Sequence, residues 1–370
     1  MKISKISIKN YRSLRGVTTD AASFNVFVGQ NNHGKTNLFE AVEWFYSGKG
    51  EISEIRHVDA GSAEVEVEIE FSGVKESIER ITHQDNQTKL RNVLGDADTM
   101  RVKRASAAPK DRLLFHPSSG QWKKQPTGTD SAFNNCIPRF EFVEATKNLK
   151  DVSAYKKNTP IEQMLGAVIA EIIAKDPAYG AFHNAFDAFF QAPGSGVRRT
   201  LNDLSERVRG HLALQFPDCA QVAFKIVEPT IDEFLKNYET RVNDGVETRA
   251  EDKGDGMQRA LMLAIIKTHA DFRREDALGR EFIFFLDEAE LHLHPTAQRQ
   301  LKQALLDLTA SVDQVFITTH SPVLIADDHS KQRIFRVEKV ERDTEVHPVT
   351  GTGKHDVVYN LLGGSPGDLL

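Results

Sequence analysis

Eight residues, Gly29-Gln-Asn-Asn-His-Gly-Lys-Thr36, constrain this chain more than any others. They match G-x-x-x-x-G-K-[ST] and sit between an apolar strand pattern, Asn25-Val-Phe-Val28, and a run of helix formers that stops at Gly48. Glycines at these places let backbone N–H groups curl around a β-phosphate, and the following helix N-terminus adds its positive end. Lys35 is then placed to reach the β- and γ-phosphates, and the Thr36 hydroxyl to ligate Mg²⁺. The loop therefore predicts ATP and Mg²⁺ as ligands, with Gly29, Asn31, Asn32, Gly34, Lys35, Thr36 and Asn37 as the nucleotide-contacting residues.

Three further segments complete such a site. The apolar run Phe282-Ile-Phe-Phe-Leu286 ends in Asp287-Glu288, which puts two carboxylates at the carboxyl end of a buried strand, where α/β sheets bind ligands. Asp287 is expected to hold Mg²⁺ together with Thr36, and Glu288 to polarise the attacking water. Thr319-His320-Ser-Pro322 follows the next apolar strand, so His320 is expected to bond the γ-phosphate and sense its departure. Lys253-Gly-Asp-Gly-Met-Gln-Arg259 is a glycine turn opening a helix. Gly254, Asp255 and Gly256 are expected to clasp the γ-phosphate of ATP held by a second subunit, which implies a two-fold dimer.

The rest of the chain supports an α/β fold. Strands are predicted at 3–8, 25–28, 64–71, 140–143, 282–286 and 314–318, and helices at 35–46, 256–274 and 296–308. The stretch 64–71 alternates strictly, with a row of glutamates on its polar face, and is expected to be antiparallel with one side in water. Residues 84–131 read as short strands and loops. Ile161, Met164, Leu165, Val168, Ile169, Ile172 and Ile173 form one helical stripe, and Leu201, Leu204, Val208 and Leu212 another. Both are expected to face the core of an inserted helical lobe. The expected divisions are 1–148 and 247–370 as two halves of the ATPase head, with 149–246 as the helical insertion.

Composition narrows the class. The formal charge of −6 argues against a molecule that is basic throughout, but residues 89–124 carry nine bases and three acids, a local +6. That segment, including Arg101, Lys103 and Arg104, reads either as a contact for a nucleic-acid backbone or as solvated surface. No run of eighteen apolar residues exists, so no membrane span is expected. Cys136 and Cys219 lack disulfide or metal spacing and point to a reducing cytoplasm. His292 and His294 have metal-like spacing but lack a third ligand.

These motifs, in this order, resemble the SMC/RecF-like branch of the ABC ATPases. Ile8-Lys-Asn-Tyr-Arg-Ser-Leu14, the phosphate loop followed by Leu38-Phe-Glu-Ala, the Gly-Asp-Gly-Met-Gln-Arg turn, Asp287-Glu-Ala-Glu-Leu-His-Leu-His-Pro295 and Thr319-His-Ser-Pro322 are similar to the OLD (overcoming lysogenisation defect) family and to the ATPase half of Gabija-type phage-defence proteins. The resemblance covers about residues 1–72 and 250–370. It implies a mixed sheet with central parallel strands, an antiparallel N-terminal lobe and a helical insertion that makes a dimer contact. It also implies an ATPase that governs a TOPRIM-type nuclease domain or partner, with DNA as a further ligand. No TOPRIM motif occurs in these residues, and the signature turn lacks its usual serine. The alternatives are a RecF-like DNA repair ATPase and a slow ATP-dependent DNA clamp or sensor; a transporter's nucleotide-binding subunit fits the signature turn poorly.

Overall fold

A computed structural model describes residues 1–81, 84–124, 133–134, 136–143, 173, 176–230, 233, 240–254, 256–258, 260–262, 264–265, 268, 281–310, 313–325 and 329–350. Contacts divide the chain into two compact units, one made of Met1–Leu149 and Gly254–Leu370, the other of Lys150–Lys253.

The first unit contains two sheets. One is antiparallel, in the order β2-β1-β4-β5-β6-β7, with β1 at Lys2–Tyr11, β2 at Leu14–Asp20, β4 at Glu66–Ser72, β5 at Thr99–Ala105, β6 at Leu113–His116 and β7 at Gln121–Lys124. The other runs β14-β13-β3-β12-β11-β8, with β3 at Phe24–Val28, β8 at Arg139–Val143, β11 at Phe282–Leu286, β12 at Gln314–Thr319, β13 at Arg333–Val340 and β14 at Asp343–Pro348. Its five strands from β13 to β8 are parallel, and β14 closes one edge antiparallel. Every residue of β3, β11 and β12 is buried, as strands covered on both faces require.

Helix α1 (Lys35–Ser47) joins the two sheets. It ends at Gly48, whose φ of 63° allows its N–H to bond Trp44 O, a left-handed C-cap that glycine adopts without a Cβ clash. Phe39 sets its ring edge-on to Phe27, Phe142 and Phe285 of the parallel sheet. Further along the helix, Trp44 meets Tyr11 and Phe45 meets Phe71 of the antiparallel sheet. One helix thus carries two apolar faces, and the core runs continuously through it.

The sheets are also stitched directly. Gln314, buried on β12, accepts from Ile3 N–H at 2.8 Å and donates to Ile3 O at 2.8 Å and Ala22 O at 2.7 Å. Its amide does the work of a peptide group where β1 shifts register between Ile3 and Lys5.

The expected outward face of β4 is present, but its glutamates are paired rather than merely hydrated. Glu66 binds Lys9 and Lys103, and Glu68 binds Arg101. Two readings need correction. The stretch beginning at residue 84 is not all strand and loop: after short helices α2 (Ile52–Ile55) and α3 (Val74–Glu79), helix α4 spans Gln84–Leu94 and buries only Leu90 and Leu94. A two-residue apolar face in a polar sequence leaves almost no helical period to read.

The second unit contains helix α5 (Pro177–Phe186), capped by the Asp176 side chain, and helix α6 (Gly196–Ala213), capped by Ser195. A π-turn at Asp187–Gln191 and a small hairpin of β9 (Arg241–Asn243) and β10 (Glu247–Arg249) accompany them. On α6 the expected core stripe is not buried: Leu204 is 47% exposed and Val208 36%. Its only buried residue is Ser205, which donates to Leu201 O and accepts from Phe224 N–H. Of the 161–173 stripe all but Ile173 lies outside the described residues. No described helix is long and apolar enough to cross a membrane.

Candidate functional site

The phosphate loop leaves β3 and enters α1 through two left-handed residues, Asn32 at φ 62° and Gly34 at φ 90°. Both glycine positions of the motif are sterically committed. A Cβ on Gly29 would lie 2.1 Å from Val337 O of β13, and one on Gly34 would lie 2.2 Å from Thr344 Oγ1 of β14. The loop is thus pressed against the β13–β14 hairpin. Thr344 Oγ1 donates to His33 O at 3.0 Å and lies 2.7 Å from Ser13 Oγ, while Asn37 Nδ2 donates to Ser13 Oγ at 2.7 Å. Asn37, expected at the nucleotide, is therefore engaged with the β1–β2 turn, where it also accepts from Arg12 at 3.3 Å.

The chemistry-bearing side chains converge at the carboxyl ends of β3, β11 and β12. Thr36 Oγ1 donates to Asp287 Oδ2 at 2.8 Å, and Thr318 Oγ1 donates to Asp287 Oδ1 at 2.5 Å. Asp287 is buried, and its hard oxygens beside a threonine hydroxyl form a donor set that suits Mg²⁺. Glu288, next in sequence, has φ 45°, and its N–H donates to Thr318 Oγ1 at 2.7 Å. A non-glycine residue held left-handed costs energy and persists only where its surroundings impose it.

Lys35 is buried, and its ammonium donates to Gly29 O and Gln30 O, both at 2.9 Å. It lies 3.0 Å from His320 Nε2. Burial lowers the Lys35 pKa below its usual value, and the charges of Asp287, Glu288 and Glu290 oppose that shift. His320 is likewise lowered, first by burial and then by the Lys35 charge. A neutral imidazole accepting from a charged lysine satisfies both shifts.

The signature turn is placed in part. Gly254 O accepts from Met257 and Gln258 N–H, opening a helix as its sequence suggests. A Cβ on Gly256 would lie 3.2 Å from His292 O. Asp255 lies outside the described residues, as does most of 266–280. Among the described residues no hydrogen bond joins Gly254 or Gly256 to the 29–36 loop. His292 and His294 are exposed, His294 serving as N-cap of helix α7 (Pro295–Thr309) through its Nδ1.

Sequence reading missed three participants. Glu290 binds the end of β12 through both oxygens, and Thr318 and Thr319 supply hydroxyls to the acids. The hydroxyl–carboxylate pairing needs two strands brought into register, which no local motif announces. The basic segment also differs from expectation. Arg101 and Lys103 pair with Glu68 and Glu66. Arg104 is no surface charge at all: it is 3% exposed and donates to Phe45 O and Pro109 O.

The family model described as the AAA ATPase domain matches residues 1–165 and 116–325. The chain belongs to the AAA ATPase domain family. Among curated proteins this AAA ATPase domain is 27% identical to the Old nuclease of Escherichia phage P2 over 349 residues, covering 90% of this chain and 59% of that protein. It is 22% identical to endonuclease GajA of Bacillus cereus over 368 residues, covering 92% and 59%. It is 22% identical to the DNA replication and repair protein RecF of Lacticaseibacillus casei over 377 residues, covering 87% and 93%. The chain therefore spans about three-fifths of the two nucleases. The crystal structure of an SMC head bound to the C-terminal winged-helix domain of ScpA superposes with a TM-score of 0.57 at 16% identity, covering 96% of this chain and all of that one. The OLD and Gabija-type resemblance and the SMC-head fold are both borne out.

Proposed function

We propose that this chain binds ATP with Mg²⁺ on residues 29–36 and hydrolyses it between two subunits arranged head to tail. The observation that carries this reading is the pairing of Thr36 with Asp287 and of Lys35 with His320 at the carboxyl ends of adjacent strands. Lys35 and the loop N–H groups orient the β- and γ-phosphates, and the N-terminus of α1 adds its dipole. Thr36 and Asp287 would hold Mg²⁺, and the ion would supply charge neutralisation to the phosphates. Glu288 orients the attacking water and takes its proton, and His320 bonds the γ-phosphate. Gly254, Asp255 and Gly256 of the second copy complete the pocket from outside.

The biological role we infer is control of a DNA nuclease in phage defence, as the relationship to Old nuclease and GajA suggests. The helical second unit is proposed as the dimer lobe, and the head as the halves 1–148 and 247–370. A DNA repair role is the second reading, favoured by coverage of 93% of a RecF protein.

Glu288→Gln tests the chemistry. It is expected to lower ATP turnover by about 100-fold or more while ATP binding persists and a dimer accumulates on size-exclusion chromatography with light scattering. Unchanged turnover would remove Glu288 from the mechanism.

A further inference from the structure

Glu290 follows Asp287 by three residues, in the turn that leads from β11 to α7. Neither carboxylate oxygen is idle. Oε2 accepts the Thr319 hydroxyl at 2.6 Å, and Oε1 accepts the backbone N–H of His320 at 2.6 Å. Short bonds to an ionised acceptor are stronger than neutral ones, so Glu290 holds the end of β12 firmly. The hold continues outward. Thr319 Oγ1 accepts from Ser321 N–H at 2.9 Å, Ser321 Oγ donates to Gln298 Oε1 at 2.6 Å, and Gln298 Nε2 returns to Leu293 O at 2.9 Å. The turn after Glu288 and the arm that carries His320 are therefore bound to each other at both ends.

We infer that Glu290 is a positioning residue, which fixes the backbone of His320 so that its imidazole stays against Lys35. The inference rests on the reading of this site as one that hydrolyses ATP. Glu290 touches neither Lys35 nor Thr36 among the described contacts; it acts through His320, whose Nε2 lies 3.0 Å from Lys35 Nζ. Removing the carboxylate frees the His320 N–H and the Thr319 hydroxyl, and the ring loses its direction. The same turn also lies close to Gly256, where an added Cβ would sit 3.2 Å from His292 O.

A double-mutant cycle on the full chain tests this with Glu290→Ala, His320→Ala and the pair. Glu290→Ala is expected to lower kcat for ATP about tenfold or more, with KM within about threefold. The pair is expected to be no slower than His320→Ala alone, because residues that act as a unit are non-additive. Glu290→Gln, which keeps one acceptor for the His320 N–H, is expected to recover part of the loss. Losses that multiply, or an unchanged kcat in Glu290→Ala, overturn the inference. Amide exchange across residues 314–325 provides a readout that needs no turnover: His320 N–H should exchange faster in Glu290→Ala while the melting midpoint holds. Exchange at the wild-type rate overturns the inference by itself. A wild type that hydrolyses no ATP overturns the proposed function and leaves the exchange result standing.

Discussion

Lys35, proposed above to contact the phosphates, carries a cost in the folded chain. Its amine is buried, and burial lowers its pKa, so the charged form is held against a desolvation penalty. Lys35→Ala is expected to weaken ATP binding by at least about 100-fold, measured by titration with a fluorescent nucleotide, since it removes a charge from the phosphates. His320 gives a pH signature. Its folded pKa lies below the usual 6.5, so the unfolded chain binds the proton first as pH falls. The stability this neutral histidine contributes is present above pH about 6.5 and is lost as pH falls through the lowered folded value. Wild type should therefore lose more of its melting temperature between pH 7.5 and 5.5 than His320→Gln does. Equal losses would mean that His320 carries no depressed pKa.

At the scale of elements, sequence patterns were informative where one face decides burial and silent where partners come from afar. Strands β3, β11 and β12 are buried throughout and mostly apolar, and were legible, as was α1 behind its glycine loop. The motif residues Lys35, Thr36, Asp287 and His320 come together as their spacing implied. Glu290 escaped notice because its partners lie 29 and 30 residues away. Arg104 misled for the opposite reason: in a basic stretch it looks like surface, yet it is buried and donates to Phe45 O in the last turn of α1. Burial lowers its pKa to about 10, with Arg112 adding to the effect. Arg104→Ala leaves the carbonyls of Phe45 and Pro109 without this donor and should cost about 1–3 kcal/mol in denaturant unfolding. Arg101→Ala breaks a half-exposed pair with Glu68 and should cost at most about 1 kcal/mol. Equal costs would contradict the burial of Arg104.

For the whole molecule, the exposed apolar residues of α6 matter most. Leu204 and Val208 break the core expectation: their helical spacing predicts a covered face, yet both are exposed on α6. Under the dimeric reading, Leu204→Gln with Val208→Gln should weaken self-association by at least about tenfold in sedimentation. The melting point of the isolated chain should hardly move, since surface changes stay within about 0.5 kcal/mol. A dimer as tight as wild type would exclude α6 from the contact.

The order of strands in the parallel sheet also has a consequence during synthesis. β3, which launches the phosphate loop, is flanked on one side by β12 and on the other by β13. Asn25 already reaches across 290 residues to bond Val315. At translation speeds of about 5–20 residues per second, the gap lasts roughly 15–60 seconds. Throughout that interval an apolar strand leaves the ribosome with both edges unpaired, and the nascent chain depends on α1 or a chaperone to shield it. The loop is translated well before β12 and β13, the strands that complete its sheet.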